Sequence, residues 1–457
     1  MTSLEKEAAA LSRGVRLSGL KRIVSREAVK RSLRECGRGR AACPRVPDLL
    51  MVWFVLGLGL FCRDCYRQVY RWLRPWDREA GVPGRSTLCE ARRRLGVAPL
   101  VRLAAGVVRP LAEEATPGAF YKGLRLVGVD GFVVDLPDSP ANARVFGRPG
   151  GGRAPGAFPQ ARVVALCEAG TRVMFRWLVK PMTTAEQPMA DCLLRWLTEG
   201  MLLMWDRNFL SYARVKRVAA GGAHLLARVK AGLILNPTRR LSDGSYLAKL
   251  YPDATARRHD RDGIEVRVID YSFDDPGRPG AGVKHRLITT LLDEEAHPAA
   301  ALIELYHARW EQELAIGDVK VRQMERPTLR SETPAGVVQE LYALMVGHFV
   351  VRCLMAEAAK ARPDPTPPAA LSFTAALRIL RCRLPECPPD PRDHAGQRNW
   401  YRRLVEEVAA EPLEPRRDRV NPRVIKRKMS KWKKKRPEHH HYPQPTKKFR
   451  ESIVMTQ

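Results

Sequence analysis

Tyr306, Arg309, Glu313 and Lys320 stand in the run LIELYHARWEQELAIGDVKVR, which has no Gly or Pro before Gly317. Its length and apolar content predict a helix. At about 100° per residue, the four side chains fall within a sector of about 60°. Ile303, Trp310 and Leu314 flank that sector on one side, and Leu305 and Ile316 on the other. Glu304, Ala308, Glu311, Ala315 and Asp318 lie opposite, on the face expected to meet water. An aromatic ring, two cations and a carboxylate thus line up on the buried face. Buried charges need partners, and this set suits a metal and a phosphate. Arg309 and Glu313 alone would be an ordinary surface pair four residues apart; the argument for chemistry rests on the four together.

A metal site needs more oxygen ligands, and two further acids end apolar runs of strand length. LRLVGVDGFVVDLPDSPANARVFGRPG reaches Asp130, and GMLLMWDRNFLSY reaches Asp206. Such runs read as buried strands in a sheet covered by helices, and open α/β sheets place ligands at strand ends. Asp135 and Asp138, beside Pro137 and Pro140, compete with Asp130 as turn formers. Asp206 also reads as an N-cap for the helix FLSYARVKRVAA. Glu304, Glu311 and Glu325 are the rivals of Glu313.

The spacing Y-x2-R-x3-E-x6-K, with VDG…DLPDSPAN…FGRPG and WDRNF, resembles the DDE transposases of the insertion-sequence type 4 family. That resemblance implies an α/β fold with a ribonuclease H-like catalytic core. In it Asp130, Asp206 and Glu313 would be catalytic and hold divalent metal ions, Mg²⁺ with Mn²⁺ as a substitute. Tyr306, Arg309 and Lys320 would grip phosphates near the cut. The implied partners are double-stranded DNA, as terminal inverted repeats and as target, and a second copy of the chain in a homodimer on DNA. Two other readings fit the same residues: a nuclease of this fold that cleaves without strand transfer, and a non-catalytic DNA-binding protein derived from a transposase.

Charge agrees with a polyanionic partner. The 457 residues carry 79 Lys and Arg against 49 Asp and Glu, a formal +30, which is an electrostatic footprint for nucleic acid. The apolar run Leu49 to Cys62 is too short for a membrane span and reads as a buried helix. No targeting signal is visible, so the expected location is cytoplasmic, without membrane. Of ten cysteines, Cys62 and Cys65 form one CxxC with no second pair at zinc spacing, so reduced thiols are expected.

The chain is expected to divide into a helical N-terminal DNA-binding domain (1–115), a first core part (116–228), a β-rich insertion (229–288), a second core part with the Tyr-Arg-Glu-Lys helix (289–360), C-terminal helices (361–415) and a basic tail (416–457). In PGRSTLCEARRRLG, Ser86 and Thr87 offer an N-cap, and Arg92 and Arg93 follow on a helix that reads equally as DNA-reading or as a solvated basic face. The resemblance implies that this N-terminal region recognises transposon ends. The strands LRLVGVD, ARVVALCE, TRVMFRWLV and MLLMWD, with a helix before the last, give the strand order of the core. The insertion is read from SYLAKLY, IEVRVIDYSF and KHRLITTLLD. Well-described members stack a flipped base on a tryptophan near the insertion. Between Arg207 and Arg309 this chain has no Trp, so Tyr246, Tyr251, Tyr271 and Phe273 are the aromatic candidates. The tail, with Lys433, Lys434 and Lys435, reads as a DNA-contacting arm that orders on binding.

Overall fold

The computed structural model describes residues 15–38, 46–74, 81–150, 156–229, 232–278, 280–307, 309–390, 392–414, 424–425, 433–434 and 445–456. The chain forms two compact units, each discontinuous: residues 1–193 with 311–413, and residues 194–310 with 414–457.

The first unit combines helices with an antiparallel sheet. Among the described residues five α-helices precede the sheet: Arg26–Glu35, Asp48–Leu60, Tyr66–Leu73, Arg85–Leu95 and Ala98–Val107. The strands are β1 (Phe120–Tyr121), β2 (Leu124–Asp135), β3 (Gln160–Glu168) and β4 (Met174–Pro181). They pair in the order β4-β3-β2-β1, all antiparallel. Sequence and structure agree on β3 and β4 to within a few residues, because both are apolar runs bounded by turns.

Helix Asp48–Leu60 is apolar all round, and eleven of its residues are buried, so the expected buried helix is observed. It lies against Pro334–Lys360, the one described helix long and apolar enough to cross a membrane; 83% of that apolar window is buried inside the protein, which makes it a core helix. Gly59 permits this packing, since a Cβ there would sit 2.1 Å from the Ala343 carbonyl oxygen. Gln323 Nε2 donates to both Gly59 O (2.9 Å) and Leu344 O (2.8 Å), tying the segment after Lys320 to both helices.

The second unit holds β5 (Met201–Trp205), β6 (His224–Arg228), β7 (Pro237–Arg240), β8 (Tyr246–Leu250), β9 (Ile264–Phe273) and β10 (His285–Thr289). β5 and β6 are parallel. β10 is antiparallel to both β6 and β9, and β9-β8-β7 continue as a meander. The β-rich insertion is therefore an antiparallel extension of the strand pair that ends near Asp206. Two short strands, β11 (Val424–Ile425) and β12 (Lys433–Lys434), pair in parallel; Lys435 lies outside the described residues. The tail's end is not a free arm. β13 (Ile453–Met455) pairs with Tyr271 to Phe273 of β9, and Asp275 accepts bonds from the backbone N–H of Thr446 (3.0 Å) and Lys447 (3.1 Å).

Candidate active site

Asp130 lies within β2 and not at its end, the place expected from its position after LRLVGV. β2 runs five residues further, and Asp130 stands opposite Ala165 on β3. The carboxylate is half-buried, with Oδ1 accepting from the Gly131 N–H at 2.8 Å. Gly128 lies two residues before Asp130, so both face the same side of the strand. A Cβ at Gly128 would fall 1.1 Å from Gln312 Nε2. The residue preceding Glu313 thus packs directly on the face from which Asp130 projects. An isolated Gly inside a strand signals such close approach, and the first Gly of LVGVDG carries that signal.

The predicted continuous helix is two helices and a wider turn: Ala299–His307, Trp310–Gly317, then a π-helical segment Asp318–Gln323; Ala308 lies outside the described residues. Glu313 sits half-buried in the first turn of the second helix, and Lys320 half-buried in the π segment. Because a π turn changes the angle per residue, a uniform 100° does not describe the stripe. The face assigned to water is corrected accordingly. Ala315 and Asp318 are fully buried, and Glu311 receives a two-pronged contact from Arg172 Nε (2.5 Å) and Nη2 (3.1 Å). Asp318 is held between Arg352 and Arg322. These cations come from a distant turn, the core helix and four residues along, so no local periodicity reveals the first two.

Four of the five rival acids have structural partners, Glu311 among them. Asp135 accepts from Gln160 Nε2 at 2.7 Å, Asp138 pairs with Arg148, and Glu325 pairs with Arg381 at 2.9 Å.

In the second unit, Asp206 follows β5 directly, as expected, and is half-buried; its Oδ1 accepts from the Arg207 N–H at 2.7 Å. It is no helix cap, since helix Tyr212–Ala220 is capped by Ser211. Tyr306 is 8% exposed, and its hydroxyl donates to the Trp205 carbonyl at 3.2 Å, one residue before Asp206. Burial pushes its phenol up to about 12, with Arg309 opposing and Asp206 reinforcing. The half-buried Arg309 guanidinium lies 5.7 Å from the Tyr306 ring centre. The first unit therefore carries Asp130, Glu313 and Lys320, and the second Asp206, Tyr306 and Arg309. Among the described residues no cluster of three or more His, Cys, Asp or Glu is placed to hold a metal ion. The donor chemistry does fit: all three acids offer carboxylate oxygens, the ligands hard divalent cations take.

Elsewhere the structure revises several expected contacts. Arg92 is 5% exposed, bonded to Gln339 Oε1 (3.1 Å), Gly336 O (3.0 Å), Ser331 and Tyr66. It fastens its helix to the core helix and offers no group to DNA; Arg93 is exposed. That helix is preceded by Gly84 at the cap position, and neither Ser86 nor Thr87 serves as N-cap. Tyr246, Tyr271 and Phe273 are all under 9% exposed, and the Tyr251 hydroxyl bonds Asp260 at 2.7 Å, so the first three present no face to a base. The described cysteines are free thiols, and burial pushes Cys62 up to about 12.

A family model of the transposase DDE domain matches residues 121–349, and one of the insertion element 4 transposase N-terminal region matches residues 14–105. The chain is 28% identical over 341 residues to transposase InsG for insertion sequence element IS4 of Escherichia coli (strain K12), covering 73% of this chain and 75% of that one. It is 26% identical over 171 residues to putative transposase InsZ of the same strain, covering 36% of this chain and 56% of that one. A cryo-EM structure of the piggyBac transposase synaptic complex with hairpin DNA aligns with a TM-score of 0.41 at 12% identity, over 88% of this chain and 86% of that one. DDE transposases generally use divalent metal ions. With half its length matched by the DDE domain, the chain belongs to the DDE transposases of the insertion element 4 family, enzymes that cleave DNA and transfer its strands.

Proposed function

We propose that this transposase works by cut and paste, with Asp130, Asp206 and Glu313 as its metal-holding acids and Mg²⁺ as the natural ion. The observation that carries the reading is that the DDE-domain match over residues 121–349 contains all three acids. With two such ions bound, the chemistry supplied is activation of water, and later of the 3′-hydroxyl, and charge neutralisation at the leaving oxygen. Arg309 offers a planar fork to phosphate oxygens and Lys320 a point charge. Tyr306 fixes the backbone that presents Asp206 and through it helps position the strand beside the cut. Exposed Arg93 and the tail lysines Lys433, Lys434 and Lys435 contact DNA, the former near the transposon ends. Cutting two ends together calls for a homodimer on DNA, which then engages target DNA.

The test uses labelled duplex carrying the element's terminal repeats, with the protein, with and without Mg²⁺. Cleavage at the repeat boundary and a joined product, both lost on chelation, are expected. Cleavage without any joined product would instead make the protein a nuclease.

A further inference from the structure

Within the first unit, a cavity of about 350 Å³ is lined by Arg63, Arg67, Arg85, Arg326 and Arg330, with Tyr66 beside them. Its size lies in the roughly 300–1,000 Å³ range of ligand sites, yet its wall is cationic. Two of the arginines are structural. Arg330 donates to the carbonyls of Cys62 (2.8 Å), Asp64 (2.9 Å), Leu58 and Phe61 (both 3.2 Å), closing the end of helix Asp48–Leu60, and Arg326 reaches Cys62 O at 3.4 Å. The other three are different: Arg63, Arg67 and Arg85 are exposed and have no hydrogen-bond or ion-pair partner among the described residues. The one acid in the wall, Asp64, is occupied by the Trp72 indole N–H at 2.7 Å. A second cavity of about 150 Å³ shares Tyr66, Arg85 and Arg330 and adds exposed Arg93, with Glu332 as its own acid.

Glu340 pairs with Arg330 at 3.5 Å and Asp64 adds one negative charge, which leaves Arg63, Arg67 and Arg85 as the cations whose mutual repulsion opposes folding. The arrangement is relieved when an anion enters, and planar donor forks match phosphate oxygens best. Both helices that begin here, Tyr66–Leu73 and Arg85–Leu95, lack a side-chain cap, which adds positive potential of the same sign.

We propose that this arginine-lined cavity is a docking site for the phosphodiester backbone of duplex DNA, with Arg63, Arg67 and Arg85 as the contacting groups and Arg326 and Arg330 as its floor. The proposal rests on the transposase reading and adds to it contacting residues other than the acids and the tail lysines. Phosphate contacts carry position and not sequence, so its task is to hold the duplex in register.

The experiment measures binding of a fluorescent duplex of fixed random sequence across a salt series. It compares the full chain with Arg63→Gln/Arg67→Gln/Arg85→Gln and with a charge-matched control, Arg102→Gln/Arg378→Gln/Arg398→Gln, whose arginines are exposed elsewhere in the same unit. Three lost phosphate contacts should flatten the log–log salt slope by about 2.7, at roughly 0.9 per contact, while the control changes it by less than one. Single variants, each expected to remove about 0.9, serve if the triple variant does not fold by circular dichroism. Equal slopes for the cavity variants and the control overturn the site. If the slope falls as expected but the parent protein neither cuts nor joins repeat-bearing DNA, the site stands and the transposition mechanism fails instead.

Discussion

At the scale of single residues, the acids separate by what already binds them. If the three acids hold the ions as proposed, Asp130→Asn, Asp206→Asn and Glu313→Gln should each leave DNA binding nearly intact and abolish cleavage, because loss of one charge would empty or distort a two-ion site; gel-shift and cleavage assays on the same preparations check this. Full cleavage by Glu313→Gln would remove that residue from the set. Glu311 is a separate case. Its partner Arg172 is 5% exposed on its side chain and Glu311 28%, so Glu311→Gln should lower stability by about 1–3 kcal/mol through the poorly compensated guanidinium. Urea denaturation measures that loss, and an unchanged midpoint would mean the pair is worth nothing. Tyr306→Phe removes the hydroxyl with its bond to the Trp205 carbonyl and its hydrogen bond with Arg309, each worth about 1 kcal/mol. Cleavage should fall more than DNA affinity, whereas a Tyr306 that only gripped phosphate would lose affinity first.

Among the elements, β2 and helix Trp310–Gly317 fit closely at Gly128. Gly128→Ala places a methyl inside the Gln312 amide, which is itself 3% exposed. The helix must shift or the amide must find another rotamer, at about 1–3 kcal/mol. Cleavage and melting temperature should both drop, and adding Gln312→Ser should restore most of each, since the two residues share one space. If the double variant is no better than Gly128→Ala, the packing is not what places Glu313. Gly59→Ala is expected to be worse and without a side-chain remedy, because the obstacle is the Ala343 backbone.

For the whole molecule, charge and chain end must be tested apart. Between Lys426 and Arg436 eight Lys and Arg occur, and neutralising them to Gln leaves β13 intact. If half contact phosphates, the salt slope should flatten by about 3.6, with non-specific affinity falling most. Deleting residues 453–457 does the reverse. It strips the partner from Tyr271 to Phe273 and exposes a strand edge, so reduced solubility and melting temperature are expected with the salt slope retained. A slope unaffected by the eight substitutions would make the tail a merely solvated charge run.

What the chain determined by itself is local: the apolar runs that became β3, β4, β5 and β9, the buried helix Asp48–Leu60, the Asp directly after β5, and the signature that identifies the family. Those features follow from the kind and spacing of neighbouring residues, and they survive in the folded protein. Tertiary structure alone decided which charges are committed. Arg92 is spent on Gln339, Glu311 on Arg172 and Asp318 on Arg352, each partner more than thirty positions away in the chain. It also decided that the helix through Glu313 changes pitch at Asp318, where a fully buried ion pair holds a turn that no uniform period anticipates. The last residues of a basic tail became a strand for a similar reason: β9 has ten residues, its neighbour β8 covers only Ile264 to Val268, and the remaining backbone groups needed a partner.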